Sequence, residues 1–345
     1  MPSGLILLTG ATGHVGFATL ILALKKGYTI RAAVRSEAKA STIREHSATK
    51  PYLGQLFFVT VPDITVSGAF DEAIKDVDYV VHIASPLSST PGDPEVTIIA
   101  PAINGTLSIL HSALTAPSIK RIVITASVAS IIPDDPTTPF TPNTVLPDPP
   151  KPNPSQFHAY VASKRLAYNR TLDFISQSHP SYSIINIMPS FIIGPNLLAT
   201  TPQEVGSGSN RVAIATILGQ NMGGMLGNTC HIDDVALAHV ASLSDTITID
   251  KGKGYRNFGV DVYYPPPHKL NWGSATEIVK KHFPKEVEEG VFPLGGKGED
   301  FTLPFDARET ERVLFEGRKA RGWEEQVVDL AGYYAEVYRK SAAKA

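Results

Sequence analysis

Tyr160 and Lys164 stand four positions apart in "YVASKRLAYNR" (160–170), so on a helix they share one face. The chemistry open to such a pair is proton transfer. A phenol at its ordinary pKa near ~10 is a poor acid–base group at neutral pH. An adjacent ammonium favours the phenolate and brings that value toward the working range. Ser127 closes the apolar run "RIVITAS" (121–127), which puts it at the carboxyl end of a strand, where α/β sheets hold ligands. Its hydroxyl suits holding a substrate oxygen beside the phenol.

A second group of residues points to what the pair would serve. "TGATGHVG" (9–16) spaces Gly10, Gly13 and Gly16 at three-residue intervals between an apolar run and a helical pattern. The spacing departs from G-x-G-x-x-G by one residue, but the physics is the same. Gly10 permits a tight turn, Gly13 lets backbone approach a pyrophosphate, and Gly16 lets helix and strand pack closely. Thr12, His14 and Val15 complete the cradle, where free N–H groups and the helix dipole face the anion. Lys164 then has a second task, a hydrogen bond to the nicotinamide ribose. NAD-selective sites usually carry an acid about 20 residues further on. Here the chain reads Val34-Arg35-Ser36. Arg35 offers a fork of donors to a 2′-phosphate, and Lys39 adds a cation one helical turn later, so the expected cofactor is NADPH/NADP. Asp63 is either an acceptor for the adenine amino group or a turn residue. Ala84 and Ser85 in "HIASP" are small enough for a cofactor to pass closely.

Elements must hold these residues in place. "LILLT" (5–9), "TIRAAV" (29–34), "LFFVT" (56–60), "DYVVHIA" (78–84), "RIVITAS" (121–127) and "SIINIM" (183–188) alternate with helical patterns. Continuous Val/Ile-rich runs between helices are what a parallel sheet covered on both faces requires. The reading is an α/β doubly wound parallel sheet of the Rossmann type over residues 1–190. A smaller, mostly helical substrate region follows over 191–345, partly interleaved with the sheet. Helices are expected in "CHIDDVALAHVASL", "NWGSATEIVKKHF" and "WEEQVVDLAGYYAEVYRK". Proline crowds residues 133–154, which predicts a loop, either a lid or rim or an inert excursion. Residues 200–210, rich in small side chains, read as a mobile segment.

Bulk properties exclude other classes. A net charge of −2 with no long block of one sign gives nothing to draw nucleic acid or an anionic membrane. The lone Cys230 rules out an intramolecular disulfide and a cysteine-based zinc cluster. No apolar run approaches the ~20 residues of a membrane helix, and the N-terminus lacks a basic leader region, so a cytoplasmic protein is expected. His231, Asp233 and Asp234 in "HIDD" read as a helix start, not as metal ligands.

Taken together, "TGATGHVG", "VRSEAK", "VPDI", "HIASP", "NGT", "TAS", "YVASK", "MPSFIIGP" and "HIDDVALAH" resemble the extended short-chain dehydrogenase/reductases. Within them, the chain is similar to the branch of dihydroflavonol reductase, cinnamoyl-CoA reductase and the yeast methylglyoxal and aldehyde reductases. The resemblance covers most of the chain. It implies Ser127, Tyr160 and Lys164 as a catalytic triad, Arg35 and Lys39 at the 2′-phosphate, Asp63 and Ile64 at the adenine, and Pro189 by the nicotinamide carboxamide. Asn104 matches a position sometimes given a proton-relay role. Ala126 stands where many relatives have serine. The expected activity is NADPH-dependent reduction of an aldehyde or ketone, with a small-molecule carbonyl as partner and a monomer or homodimer as the assembly. Phe157, Phe191 and residues 133–154 and 195–227 are expected to line the pocket. The alternatives are an epimerase, dehydratase or hydroxysteroid dehydrogenase on the same triad, and a redox sensor that holds NADP without turnover.

Overall fold

The computed structural model describes residues 4–85, 92–151, 155–223, 227–249, 252–264, 269–298 and 302–343. Its strands are β1 (Leu5–Thr9), β2 (Thr29–Val34), β3 (Leu56–Thr60), β4 (Tyr79–His82), β5 (Arg121–Thr125), β6 (Ser183–Pro189), β7 (Phe191–Ile193), β8 (Thr229–His231) and β9 (Tyr255–Val260). Helices α1 (His14–Lys25), α2 (Glu37–Glu45), α3 (Ala100–Ala113) and α4 (Gln156–Ser178) alternate with the early strands. Helices α5 (Pro202–Val205), α6 (Asn210–Ile217), α7 (Ile232–Ala241), α8 (Ala275–His282), α9 (Pro284–Glu288), α10 (Arg308–Val313) and α11 (Trp323–Ala342) follow.

The main sheet has the order β3-β2-β1-β4-β5-β6-β9. Every pairing from β3 through β6 is parallel. The doubly wound reading is borne out: the chain leaves β1 for β2 and β3 on one side, then returns to lay β4 on the other. That reversal opens a crevice beyond the carboxyl ends of β1 and β4, where Thr9 lies opposite His82. Strand β4 is buried throughout, as its Tyr-Val-Val-His sequence requires of a central strand covered on both faces.

The chain forms two units. One contains residues 1–133, 142–188 and 236–258; the other contains 134–141, 189–235 and 259–345. The sequence boundary at 190 therefore leaves out 236–258, which returns to the first unit and supplies most of β9. Strand β9 has no counterpart in the sequence reading, because it stands outside the strand–helix rhythm that identified the others. The second unit is mostly helical, with a β7-β8 pair. Its core gathers Ile217, Trp272, Val279, Phe292, Val327 and Leu330, which come from α6, α8, α11 and the turns beside them.

Two segments depart from expectation. Residues 200–210 contain α5, closed by a capping box in which Thr201 Oγ1 accepts from Glu204 N and Glu204 accepts from Thr201 N. The signal was present as Thr-x-x-Glu. The helical stretch Glu95–Ala113 is long and apolar enough to span a membrane by length and composition alone, contrary to the reading that no run approaches that length. Half of it is buried, and α3 packs against α4 in the first unit, the setting of a core helix. Described residues of 133–154 form no helix or strand, apart from a bridge between Phe140 and Phe305, whose rings stack at 4.9 Å. Residues 152–154 and 224–226, parts of two segments expected to line a pocket, lie outside the described residues.

Candidate active site

The β1–α1 turn is built by its glycines. Gly10 has φ +76°, and a Cβ there would lie 2.8 Å from Ala84 N. A Cβ on Gly16 would lie 1.9 Å from Gly10 O, so the close seating of α1 on the turn requires glycine. Gly13 differs: a Cβ would meet only Gly10 O, at 3.4 Å, among the described residues. The fold itself has little need of glycine at 13, which fits a group approaching from outside the chain. Gly13 is the N-cap of α1, no side chain caps it, and no acid stands in the first turn. Thr12, His14, Val15 and Gly16 thus lie at a helix start that has no side-chain cap and no acid, the kind of terminus that suits an anion.

Arg35 and Lys39 are both exposed, just beyond β2 and in the first turn of α2. Asp63 forms an Asx turn: its Oδ1 accepts from Thr65 N at 2.8 Å and Thr65 Oγ1 at 2.7 Å. These bonds, and then the charge of Arg35, hold its carboxyl below the usual range. The structure therefore accounts for Asp63 as a turn residue, and it brings a carboxylate within electrostatic reach of Arg35. Ile64 is half-buried against the core under the sheet.

Ser127 is buried at the end of β5 and caps the short turn Val128–Ser130, accepting from Ala129 N at 3.2 Å. That turn packs on α4, where Ser130 Oγ donates to Lys164 O at 3.1 Å. Helix α4 begins at Ser155, whose hydroxyl accepts from His158 N at 3.3 Å. Phe157 is 58% exposed in its first turn. Tyr160 and Lys164 follow on one face, both half-buried, with Lys164 Nζ 5.7 Å from the centre of the Tyr160 ring. Lys164 Nζ also donates to Ser85 Oγ at 3.1 Å. Ser85, expected only as a small residue beside a cofactor, is thus the lysine's anchor at the end of β4.

Behind Lys164 lies a cavity of about 20 Å³ whose walls include His82, Ser85, Thr106, Thr125, Lys164 and Tyr168. Sequence reasoning did not find it. The only signal was a histidine inside the apolar run "YVVHIA". Asn104 is exposed on α3, whereas Ala102 and Thr106 of that helix face the cavity. Asn104 is not among the residues that line the cavity.

In the second unit Pro189 is the buried last residue of β6, and the half-buried Phe191 sets its ring edge-on to Trp272 at 5.8 Å. The "HIDD" acids have partners within the chain. Asp234 is fully buried and accepts from Arg318 at 2.7 Å, from Arg321 Nη1 at 2.8 Å and from Arg321 N at 2.7 Å. Asp233 lies 3.4 Å from Arg321. His231 Nδ1 accepts from Asp233 N at 3.1 Å, and Nε2 lies 3.1 Å from Asp329 in a contact poorly aligned for a hydrogen bond. Burial holds the His231 ring below the ordinary histidine pKa. Cys230 is buried, and burial raises its thiol well above the usual range. It is a core residue here.

A nucleotide-type turn, a strand-terminal serine and a tyrosine–lysine helix on one doubly wound sheet define a class, the dinucleotide-binding α/β proteins. Comparison places the chain within it. A family model described as "NAD dependent epimerase/dehydratase family" matches residues 6–256. An NAD-dependent epimerase/dehydratase of Alternaria alternata is 37% identical over 94% of this chain and 95% of its own. A ketoreductase of Cercospora beticola is 31% identical over 99% and 97%. A crystal structure of Gre2 from Candida albicans in complex with NADPH superposes with TM-score 0.78, 21% identity, 96% of this chain and 99% of that one, a likeness of fold. This chain belongs to the NAD dependent epimerase/dehydratase family.

Proposed function

We propose that the chain is an NADPH-dependent reductase of a small aldehyde or ketone. The observation that carries this reading is the anchored pair on α4: Lys164, held by Ser85, sets its ammonium 5.7 Å from the Tyr160 ring on the same unit as the glycine turn. NADPH, when bound, would supply hydride to the carbonyl carbon. The glycine turn holds the pyrophosphate, and Arg35 with Lys39 holds the 2′-phosphate. Tyr160 gives its phenolic proton to the carbonyl oxygen as negative charge builds there, and Lys164 stabilises the phenolate left behind. Ser127 orients that oxygen. The ketoreductase name of a relative 31% identical supports the reaction class, and the NADPH complex of Gre2 supports the cofactor.

A second reading is an epimerase or dehydratase that retains NAD on the same three residues. The name of the 37% identical relative favours it, and so does Asp63, whose charge reaches Arg35. The test is decay of NADPH absorbance with aromatic ketones, 2-oxoaldehydes and β-keto esters, alongside release of nucleotide from denatured protein. Turnover of NADPH with any of the carbonyls supports the first reading. Stoichiometric bound NAD with no carbonyl turnover supports the second.

A further inference from the structure

The hydrogen bonds around Thr9 fix the state of a buried histidine. Thr9 Oγ1 accepts from Ile83 N at 3.1 Å and from Ala84 N at 3.0 Å. Those bonds use both acceptor positions of the hydroxyl. Its one proton must then go to His82 Nδ1, 3.0 Å away. Nδ1 is therefore the acceptor of the ring, and the ring proton sits on Nε2. His82 is 2% exposed, and its Nε2 has no hydrogen-bond partner among the described residues. It lies in the wall of the cavity behind Lys164. An unmet N–H in so buried a place has a substantial cost unless an acceptor meets it.

The cavity supplies the means. Its volume of about 20 Å³ is room for one water molecule, and its walls are polar enough to hold one. Thr106 Oγ1 donates to Ala102 O at 3.0 Å and keeps acceptor capacity toward the cavity. Burial and the charge of Lys164 push the His82 pKa down to about 4, so the ring stays a neutral donor at physiological pH. The other ionisable groups in the walls are Lys164 and Tyr168, with His239 behind Thr125 at 2.7 Å.

We propose that His82 is a positioning residue for Lys164: its Nε2–H donates to a single buried water that packs behind the lysine and keeps the ammonium directed to Ser85 and Tyr160. The water oxygen accepts from His82, and one water proton goes to Thr106. The lysine side chain is thereby flanked by the water and anchored by Ser85, which lines the same cavity. This rests on the proposed reductase reading for its consequence in turnover, but not for the tautomer.

The test has two arms. Imidazole ¹⁵N–¹H correlation spectra of the full chain without cofactor read the tautomer directly. The expected result is a neutral His82 carrying its proton on Nε2 between about pH 5.5 and 7.5, a range spanning the ordinary histidine value. A proton on Nδ1, or a charged ring in that range, overturns the proposal. In the kinetic arm, His82→Phe is expected to lower kcat about tenfold, the scale of a small misplacement of a catalytic group. KM for NADPH and carbonyl should stay within about twofold. His82→Gln, which restores an N–H donor toward the cavity, should recover most of kcat. Unchanged kcat in His82→Phe contradicts the idea. So does an equal loss in both variants that tracks a lowered melting midpoint, since that is a merely structural role. If the wild-type protein reduces no carbonyl at all, the reductase reading falls, and the spectra still decide the tautomer.

Discussion

Two regions bury ionisable side chains and treat them in opposite ways. In the second unit the Asp234 carboxylate meets two guanidinium groups and a backbone N–H. Every feature of that contact is internal, and it ties the turn before α11 to the start of α7. In the first unit the groups at the carboxyl end of the sheet are left partly open. Lys164 has one hydroxyl partner in Ser85, His82 Nε2 has none among the described residues, and the first N–H groups of α1 have no side-chain cap. The lesson concerns how to read buried polarity. A closed network describes how the fold is held, whereas spare donors converging on a crevice describe what the fold is ready to hold.

Substitutions can break the comparison on each side. Asp234→Ala leaves Arg318 and Arg321 without their shared carboxylate. Removing one member of a buried pair is costly, but both guanidiniums are partly exposed, at 42% and 32%, so water offsets some of the loss. A destabilisation of about 2 kcal/mol in urea unfolding is expected. An unchanged midpoint would show that the closed network is ornamental to stability. Arg35 is an open cation at the sheet edge. Arg35→Asp should lower the ratio of kcat/KM for NADPH over NADH at least about tenfold, or ~1.4 kcal/mol; an unaltered ratio removes Arg35 from the cofactor site.

Asp261 gives the finest test, because it is buried in the second unit with no cation paired to it among the described residues. Asn228 donates to it at 2.7 Å, and its Oδ1 has no partner among the described residues. Burial raises its carboxyl from an ordinary value of 3.8 to about 8, against the opposing effect of Asn228 and Ser190. The folded chain therefore keeps a proton that the unfolded chain has released. This contribution to stability is complete below about pH 4 and is lost as pH rises to about 8. In Asp261→Asn the melting midpoint should lose about 2 °C less per pH unit across that window. Parallel pH profiles for variant and wild type would mean that Asp261 titrates normally.

The sequence was legible where periodicity and chemistry coincide. The six runs from "LILLT" to "SIINIM" correspond to β1 through β6, because central parallel strands are apolar on both faces and stand out as uninterrupted. The tyrosine–lysine spacing needed only a helix to become a shared face. What escaped depends on contacts distant in sequence. That Ser85 anchors Lys164 joins residues 79 positions apart. That Ala102 and Thr106 line the cavity while Asn104 is exposed follows from how α3 is rotated against α4, which motif matching does not encode. The tautomer of His82 needs Thr9, 73 positions earlier. Strand β9 joins the sheet after a long excursion, and no local pattern marks it.

The central claim is that the Tyr160 phenol is the proton donor. Tyr160→Phe keeps the ring and removes only the hydroxyl. NADPH-dependent carbonyl turnover should fall by about 10³-fold, while NADPH affinity, read by fluorescence titration, stays within about twofold of wild type. A variant that binds NADPH normally and still reduces the carbonyl at the wild-type rate would contradict the account.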